Sequence, residues 1–201
     1  MTMANDNKKL RVLVLDNYDS FVYNLVHYLK EVVGENGIVD VYRNDEISIA
    51  DVAKYDKILL SPGPGIPDEA GILKELIKTY GATKSILGVC LGCQAIAEVY
   101  GGQIINMKEV YHGVALDTLT TEKDEYLFAN LPFIFKSGRY HSWVVDAKSL
   151  PDCLTIISRD LDTGMVMGVR HNEYDVRGVQ FHPESVLTEG GMQMIRNWIE
   201  K

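Results

Sequence analysis

No stretch of this chain is apolar for long enough to cross a bilayer, and the polar segment Met1 to Lys9 lacks the apolar core of a secretory signal. The expectation is a cytoplasmic protein that stays off the membrane. Cysteine is scarce, with three in 201 residues. An odd and sparse count argues against a disulfide framework and fits a reducing compartment. Positive charge is in deficit: 20 Lys and Arg against 28 Asp and Glu leave a net charge of −8. That balance disfavours nucleic acid and anionic membrane surfaces as partners. Repeats, low-complexity segments and linkers are absent too, so nothing divides the chain. With 46% hydrophobic residues, residues 11–201 are expected to form a single domain with one full core, preceded by a frayed tail over residues 1–10.

What is present alternates. Arg11 to Leu15, Ile38 to Tyr42, Lys57 to Leu60 and Ser85 to Val89 are short β-rich or apolar runs of the kind that form buried parallel strands. Between them lie helical patterns. Ser20 is placed to cap a helix whose apolar residues Phe21, Leu25, Tyr28, Leu29 and Val32 recur until Gly34 stops it. Ala70 to Tyr80 is the next, with Gly81 beyond its end, and Gln94 to Tyr100 continues a helix opened by the turn at Cys90 and closed by Gly101-Gly102. This order predicts an α/β fold with a doubly wound, mostly parallel sheet flanked by helices and function at the C-terminal ends of its strands. From Gln103 the texture becomes β-rich (Val114 to Thr120, Phe133 to Phe135, Leu154 to Ser158, Met165 to His171, Gly178 to Phe181), which predicts an added antiparallel layer in the C-terminal half. Gly190 to Glu200 reads as a final helix.

Three segments carry chemistry. Gly88-Val89-Cys90-Leu91-Gly92 sets a cysteine between glycines at a strand-to-helix junction. A sharp turn there exposes a nucleophile, and the positive end of the following helix favours thiolate. Taken alone, such a cysteine has a small packed residue as its lesser alternative. Phe181-His182-Pro183-Glu184 supplies a histidine with a carboxylate two positions on, so a base and its orienting acid are available in the order Cys, His, Glu. The other histidines His27, His112 and His171 read as structural, and His141 is the substitute base if His182 fails. Ser61-Pro62-Gly63-Pro64-Gly65 cannot be helix or central strand and forms a rigid loop. A glycine there can aim its N–H at a developing oxyanion, with the N–H of Leu91 as second donor.

Together, Gly88-Val-Cys-Leu-Gly-Cys-Gln94, Gly178-Val-Gln-Phe-His-Pro-Glu184 and the Ser61 to Gly65 loop resemble the class I, triad-type glutamine amidotransferases. Asp16-Asn-Tyr-Asp-Ser-Phe21 with Asn24-Leu25 narrows the resemblance to the glutaminase subunits (component II) of anthranilate synthase and aminodeoxychorismate synthase. The resemblance implies hydrolysis of L-glutamine to glutamate and ammonia through a thioester on Cys90, with His182 as acid and base and Glu184 behind it. It implies that Gly63, Pro64, Gly65, Leu91, Gln94, Ser142 and Trp143 hold glutamine and its oxyanion. Ammonia would pass to a large chorismate-binding subunit in a hetero-oligomer, for tryptophan or for folate synthesis. No cofactor or metal is implied in this subunit, whereas the synthase subunit would use Mg²⁺.

Three positions depart from the family pattern: Cys93 in place of histidine, Trp143 in place of leucine, and Val114 in place of lysine. The first creates a Cys90-x-x-Cys93 pair, the arrangement of dithiol oxidoreductases. A thiol-redox protein is therefore the rival from another class, although it leaves Glu184, His182 and the glycine loop unexplained. Mild oxidation joining the two sulfurs is the corresponding switch, and a Cys93 packed into the core is the plainer alternative. A cysteine hydrolase or chaperone-like protein with the same nucleophile turn, and a partner subunit without catalysis, are the remaining rivals.

Overall fold

The computed structural model describes residues 9–201; most of the frayed tail expected over residues 1–10 lies outside the described residues. In chain order the elements are β1 (Leu10–Asp16), α1 (Val22–Val33), β2 (Gly37–Arg43), α2 (Ile49–Val52), β3 (Lys57–Leu60), α3 (Leu73–Tyr80), β4 (Ser85–Val89) and α4 (Leu91–Val99). They continue with β5 (Ile104–Asn106), β6 (Val114–Thr120), β7 (Ile134–Arg139), β8 (Trp143–Val145), β9 (Leu154–Asp160), β10 (Val166–His171), β11 (Val176–Val179) and α5 (Gly191–Glu200).

Nine strands form one sheet in the order β2-β1-β3-β4-β11-β10-β9-β6-β7. The pairings from β2 to β11 are parallel, and those from β11 to β7 are antiparallel. The antiparallel strands expected in the C-terminal half thus extend the edge of the parallel sheet. A separate two-stranded antiparallel ribbon, β5 with β8, stands apart from it. Its strands are three residues each and carry no alternation that the sequence could announce.

The central parallel strands, β1 over Val12 to Leu15 with β3 and β4, are buried on both faces along their apolar runs, whereas β2 at the sheet edge is only partly covered. Val12, Val14, Leu59, Leu87 and Val89 point into a core shared with Val22, Leu25 and Leu29 of α1 and Ile195 and Trp198 of α5. Leu13, Leu15, Ile58, Leu60 and Ile86 face the other way, onto Leu73, Leu76 and Ile77 of α3 and Ala95 and Ile96 of α4. Each fully buried Leu or Val contributes about 1.5–3 kcal/mol by leaving water. Buried Lys57 donates to the carbonyl of Trp198 at 2.9 Å, setting a cation at the C-terminal end of α5 where the helix dipole favours it.

Two helix starts differ from expectation. Ser20 does not cap α1: the cap position is Phe21, without a side-chain hydrogen bond, and it is Asp19 Oδ2 that accepts from Phe21 N–H at 2.8 Å. The helix expected from Ala70 begins only at Leu73, after a 3₁₀ turn over Pro67–Glu69. Gly71 sits at φ +50° against the backbone of Asn44, and that left-handed turn delays the helix. The final strand starts and ends two residues earlier than expected, because the chain leaves the sheet after Val179.

Candidate active site

Adjacent strands β3, β4 and β11 run parallel, so the segments after their C-terminal ends converge. These are the Ser61 to Gly65 loop, Cys90, and the run through His182 to Glu184. Three pieces far apart in sequence meet because the strand order makes them neighbours.

Cys90 occupies the turn between β4 and α4 at φ 52° and ψ −102°, a conformation that side-chain-bearing residues adopt only when the surroundings impose it. Its N–H is tied to the Val179 carbonyl at 2.8 Å, and its carbonyl accepts from Gln94 N–H at 3.1 Å. The flanking glycines have a packing reason. A Cβ on Gly88 would lie 2.5 Å from the Gly92 backbone, and one on Gly92 would lie 2.6 Å from the Leu60 carbonyl. The turn can therefore press the helix start against β3 and β4 only with glycine at both places. The amides of Leu91, Gly92 and Cys93 open the helix and have no partner within it, leaving Leu91 N–H beside the sulfur to serve an anion.

His182 donates from Nδ1 to Glu184 Oε1 at 2.7 Å, and both side chains are buried. That bond leaves Nε2 for the sulfur. Nε2 makes no hydrogen bond of regular geometry, as is common for catalytic contacts that tighten only with substrate. Electrostatically the two are coupled: burial lowers the imidazole, but interaction with the Cys90 sulfur and with Glu184 outweighs it and pushes His182 up to about 10. The ring is held in place by Tyr140 at 4.9 Å. Thr188 Oγ1 donates to the His182 carbonyl at 2.6 Å while accepting from Gly138 N–H at 2.9 Å, which pins the loop to β7.

The glycine loop is fastened from beneath. Ser61 Oγ accepts from Asn17 N–H at 2.8 Å, Asn17 Nδ2 donates to the Ser61 carbonyl at 2.9 Å, and Asn44 Nδ2 donates to Asn17 Oδ1 at 3.1 Å. Gly63 rests on the Asn17 backbone carbonyl and on Leu91 so closely that a Cβ has no room. Asn17 belongs to the Asp16 to Phe21 motif, whose sequence gives it no role; its job is to anchor this loop. Asp19 of the same motif is raised by burial and lies within the electrostatic reach of His182 and Glu184.

A cavity of about 180 Å³ is lined by Gly63, Pro64, Gly65, Cys90, Gln94, Tyr140, His141, Ser142 and Trp143. Of the residues expected to hold a ligand, all but Leu91 line it directly. A larger cleft of about 660 Å³ at the ends of β1 and β2, lined by Asp16, Tyr18, Arg43 and Glu46 among others, holds neither thiol nor histidine. His141 is present in the smaller cavity but is not free to act as base. Its Nδ1 donates to the Trp143 carbonyl at 2.9 Å, and burial drops it to about 4. The remaining histidines are structural or exposed: His171 stacks on Tyr174 at 4.1 Å, and His27 pairs loosely with Glu31 at 3.9 Å.

Cys93 does not face Cys90. It packs in the core under α3 and α4, whereas Cys90 belongs to the core on the other face of the sheet. Glycine at 178 makes the space, since a Cβ there would lie 2.8 Å from the Cys93 sulfur. Burial pushes the Cys93 thiol well above its usual range. The two cysteines of the Cys-x-x-Cys pair thus face different sides of the sheet, and Cys93 is a packing residue, which removes the basis for a dithiol switch. Peroxide is therefore expected to inactivate the protein and its Cys93→Ala variant alike. Peptide mapping with dithiothreitol recovery checks this, and recovery confined to the unmutated protein would restore the switch.

Among the described residues no group of three or more His, Cys, Asp or Glu side chains is arranged to hold a metal ion, and no helix is long and apolar enough to cross a membrane. Val114 is exposed at the start of β6, paired with Arg139 of β7; nothing in the structure explains its difference from lysine.

Comparison with known proteins places the chain among relatives. It is 44% identical over 191 residues to the aminodeoxychorismate/anthranilate synthase component 2 of Bacillus subtilis, covering 94% of this chain and 95% of that one. It is 44% identical to part of the bifunctional protein TrpGD of Thermotoga maritima, again over 94% of this chain, but spans only 32% of that protein's length. A crystal structure from Thermoplasma acidophilum, described as one subunit of a GMP synthase, superposes with a TM-score of 0.84 at 26% identity, covering 96% of this chain and 94% of the other. Residues 13–201 match the family described as glutamine amidotransferase class-I, and the chain belongs to that family.

Proposed function

We propose that this chain is the glutaminase subunit of a chorismate-using synthase, converting L-glutamine to glutamate and ammonia and passing the ammonia to a larger partner. The observation that carries the reading is that Cys90 and the Gly63 to Gly65 loop line one small cavity, while His182, hydrogen-bonded to Glu184, interacts with the Cys90 sulfur and lines with Glu184 a second cavity that shares Tyr140 with the first. In this mechanism His182 Nε2 takes the proton of the Cys90 thiol and the sulfur attacks the side-chain carbonyl carbon of glutamine. The oxyanion points at the N–H groups of Gly63 and Leu91. As the C–N bond breaks, His182 gives the proton to the departing nitrogen and ammonia leaves a γ-glutamyl thioester. Water, deprotonated by the same imidazole, then attacks the thioester; glutamate is released and the thiol is restored. Glu184 keeps the ring in the tautomer that presents Nε2. Gly65, Pro64, Gln94, Ser142 and Trp143 would form the walls around the amino acid.

Residues 11–201 would work as one domain in the cytoplasm, with any Mg²⁺ requirement belonging to the synthase. Partner docking is supported by exposed apolar residues at the site's edge: Phe21 and Val186 are 53% and 98% exposed. Phe21 and Val186 line the second cavity backed by His182 and Glu184. The name of the Bacillus subtilis relative joins anthranilate and aminodeoxychorismate synthesis, and anthranilate is the primary assignment here, with p-aminobenzoate for folate as the second. Co-purification of the large subunit, followed by product analysis with chorismate and glutamine, decides between them. The isolated chain is expected to hydrolyse glutamine slowly and to gain strongly on assembly, as the loop at Gly63 to Gly65 settles under its partner. Full-rate hydrolysis by the isolated chain, unchanged by the partner, contradicts that coupling.

A further inference from the structure

Gln180 lies two residues before His182, is fully buried, and is not accounted for by the triad or by the cavity wall. Its Nε2 is 3.4 Å from the Cys90 sulfur. Its Oε1 accepts from Gln94 Nε2 at 3.1 Å, and Gln94 Nε2 also donates to the Trp143 carbonyl at 3.0 Å. We infer that Gln180 is a further member of the catalytic machinery, an amide donor that stabilises the Cys90 thiolate and whose orientation is dictated from the substrate pocket.

The polarity of this chain of bonds follows from one atom. A backbone carbonyl can only accept, so the Trp143 oxygen requires the NH₂ end of Gln94. With its nitrogen placed there, the second N–H of Gln94 points at residue 180 and needs an acceptor, which must be the Gln180 oxygen. The Gln180 nitrogen is then left facing sulfur and donates to it. Reversing either amide would set two donors or two acceptors against each other inside the protein, a buried mismatch that weakens the whole chain of bonds. A donor to sulfur favours the charged over the neutral form, because charge-assisted hydrogen bonds are about twice as strong as neutral ones. Two features keep the arrangement fixed. The Trp143 carbonyl also accepts from His141 Nδ1 at 2.9 Å, so both its acceptor positions are filled. The Gln180 N–H donates to the Met167 carbonyl at 2.9 Å, anchoring the backbone at the strand end. Gln94 is left with its Oε1 as the group available to a bound amino acid, so occupancy of the cavity would be felt at the sulfur through two amides.

This inference rests on Cys90 as the nucleophile, and its test needs no glutamine. Alkylation of Cys90 by iodoacetamide is followed by peptide mass across pH, with partly exposed Cys153 as the internal reference for an intact fold. Gln180→Leu is expected to slow alkylation of Cys90 about tenfold at neutral pH and to move the pH profile upward, with the high-pH rate and the Cys153 rate unchanged. Gln180→Met, closer in shape, serves if the leucine variant does not fold. Gln94→Leu approaches the same chain of bonds from its other end and should give the same shift at smaller amplitude. A Cys90 profile superimposable on that of the unmutated protein, in a folded position-180 variant or in Gln94→Leu, overturns the assignment. Glutamine hydrolysis is read separately: a shifted profile in a chain whose unmutated form never hydrolyses glutamine would sustain the donor role and reject the glutaminase reading.

Discussion

Cys90→Ser is expected to abolish glutamine-dependent synthesis by the assembled enzyme, by at least about 10³-fold, while synthesis from added ammonium salts continues. The reason lies in how little the serine would change elsewhere. Position 90 is nearly buried, its backbone is held at a positive φ by the Val179 carbonyl and by the two flanking glycines, and a hydroxyl fits where a thiol did. The loss is then purely chemical: a hydroxyl is far less ionised near neutral pH than a thiol, and one donor from residue 180 and one imidazole cannot make up the difference. Measuring both nitrogen sources in one preparation separates loss of the nucleophile from loss of assembly. A serine variant that kept most of its glutamine-dependent rate would show that Cys90 is not the nucleophile.

His182→Ala should fall nearly as far. In the proposed mechanism the imidazole serves twice, as base toward the thiol and as acid toward the leaving nitrogen, and each role typically contributes about 10²–10⁴-fold. Its loss also removes the basic partner of the sulfur, since interaction with Cys90 and with Glu184 raises the imidazole's affinity for a proton despite its burial. Glu184→Gln should cost less, because an amide oxygen can still accept from Nδ1 and only the charge is lost. Steady-state glutaminase rates of the two variants in the assembled complex make the comparison. Equal and small losses would move the role of base to another group. His141 could not take it without breaking its bond to the Trp143 carbonyl and overcoming the burial that drops it to about 4.

The sequence by itself determined most of the parallel half of the fold and pointed to the groups proposed to react. Ser85 to Val89 and Lys57 to Leu60 were legible because a strand buried on both faces carries an apolar run, here Ile58 to Leu60 and Ile86 to Val89, and each is followed by a turn segment. Cys90 between glycines, and His182 followed by Pro183 and Glu184, were legible because a tight turn and a hydrogen-bonded pair are local features, closed within a few residues. The Cys93 direction, the role of Asn17 and the donor at Gln180 were not. Each depends on a partner 44 to 90 positions away, or on space left by a residue such as Gly178. The same holds for β5 and β8, which pair with each other across the chain without a pattern of their own. Tertiary structure alone decided these points. A hydrogen bond's polarity and a side chain's facing are set by whatever the fold places opposite, and periodicity along one strand or helix carries no record of that neighbour.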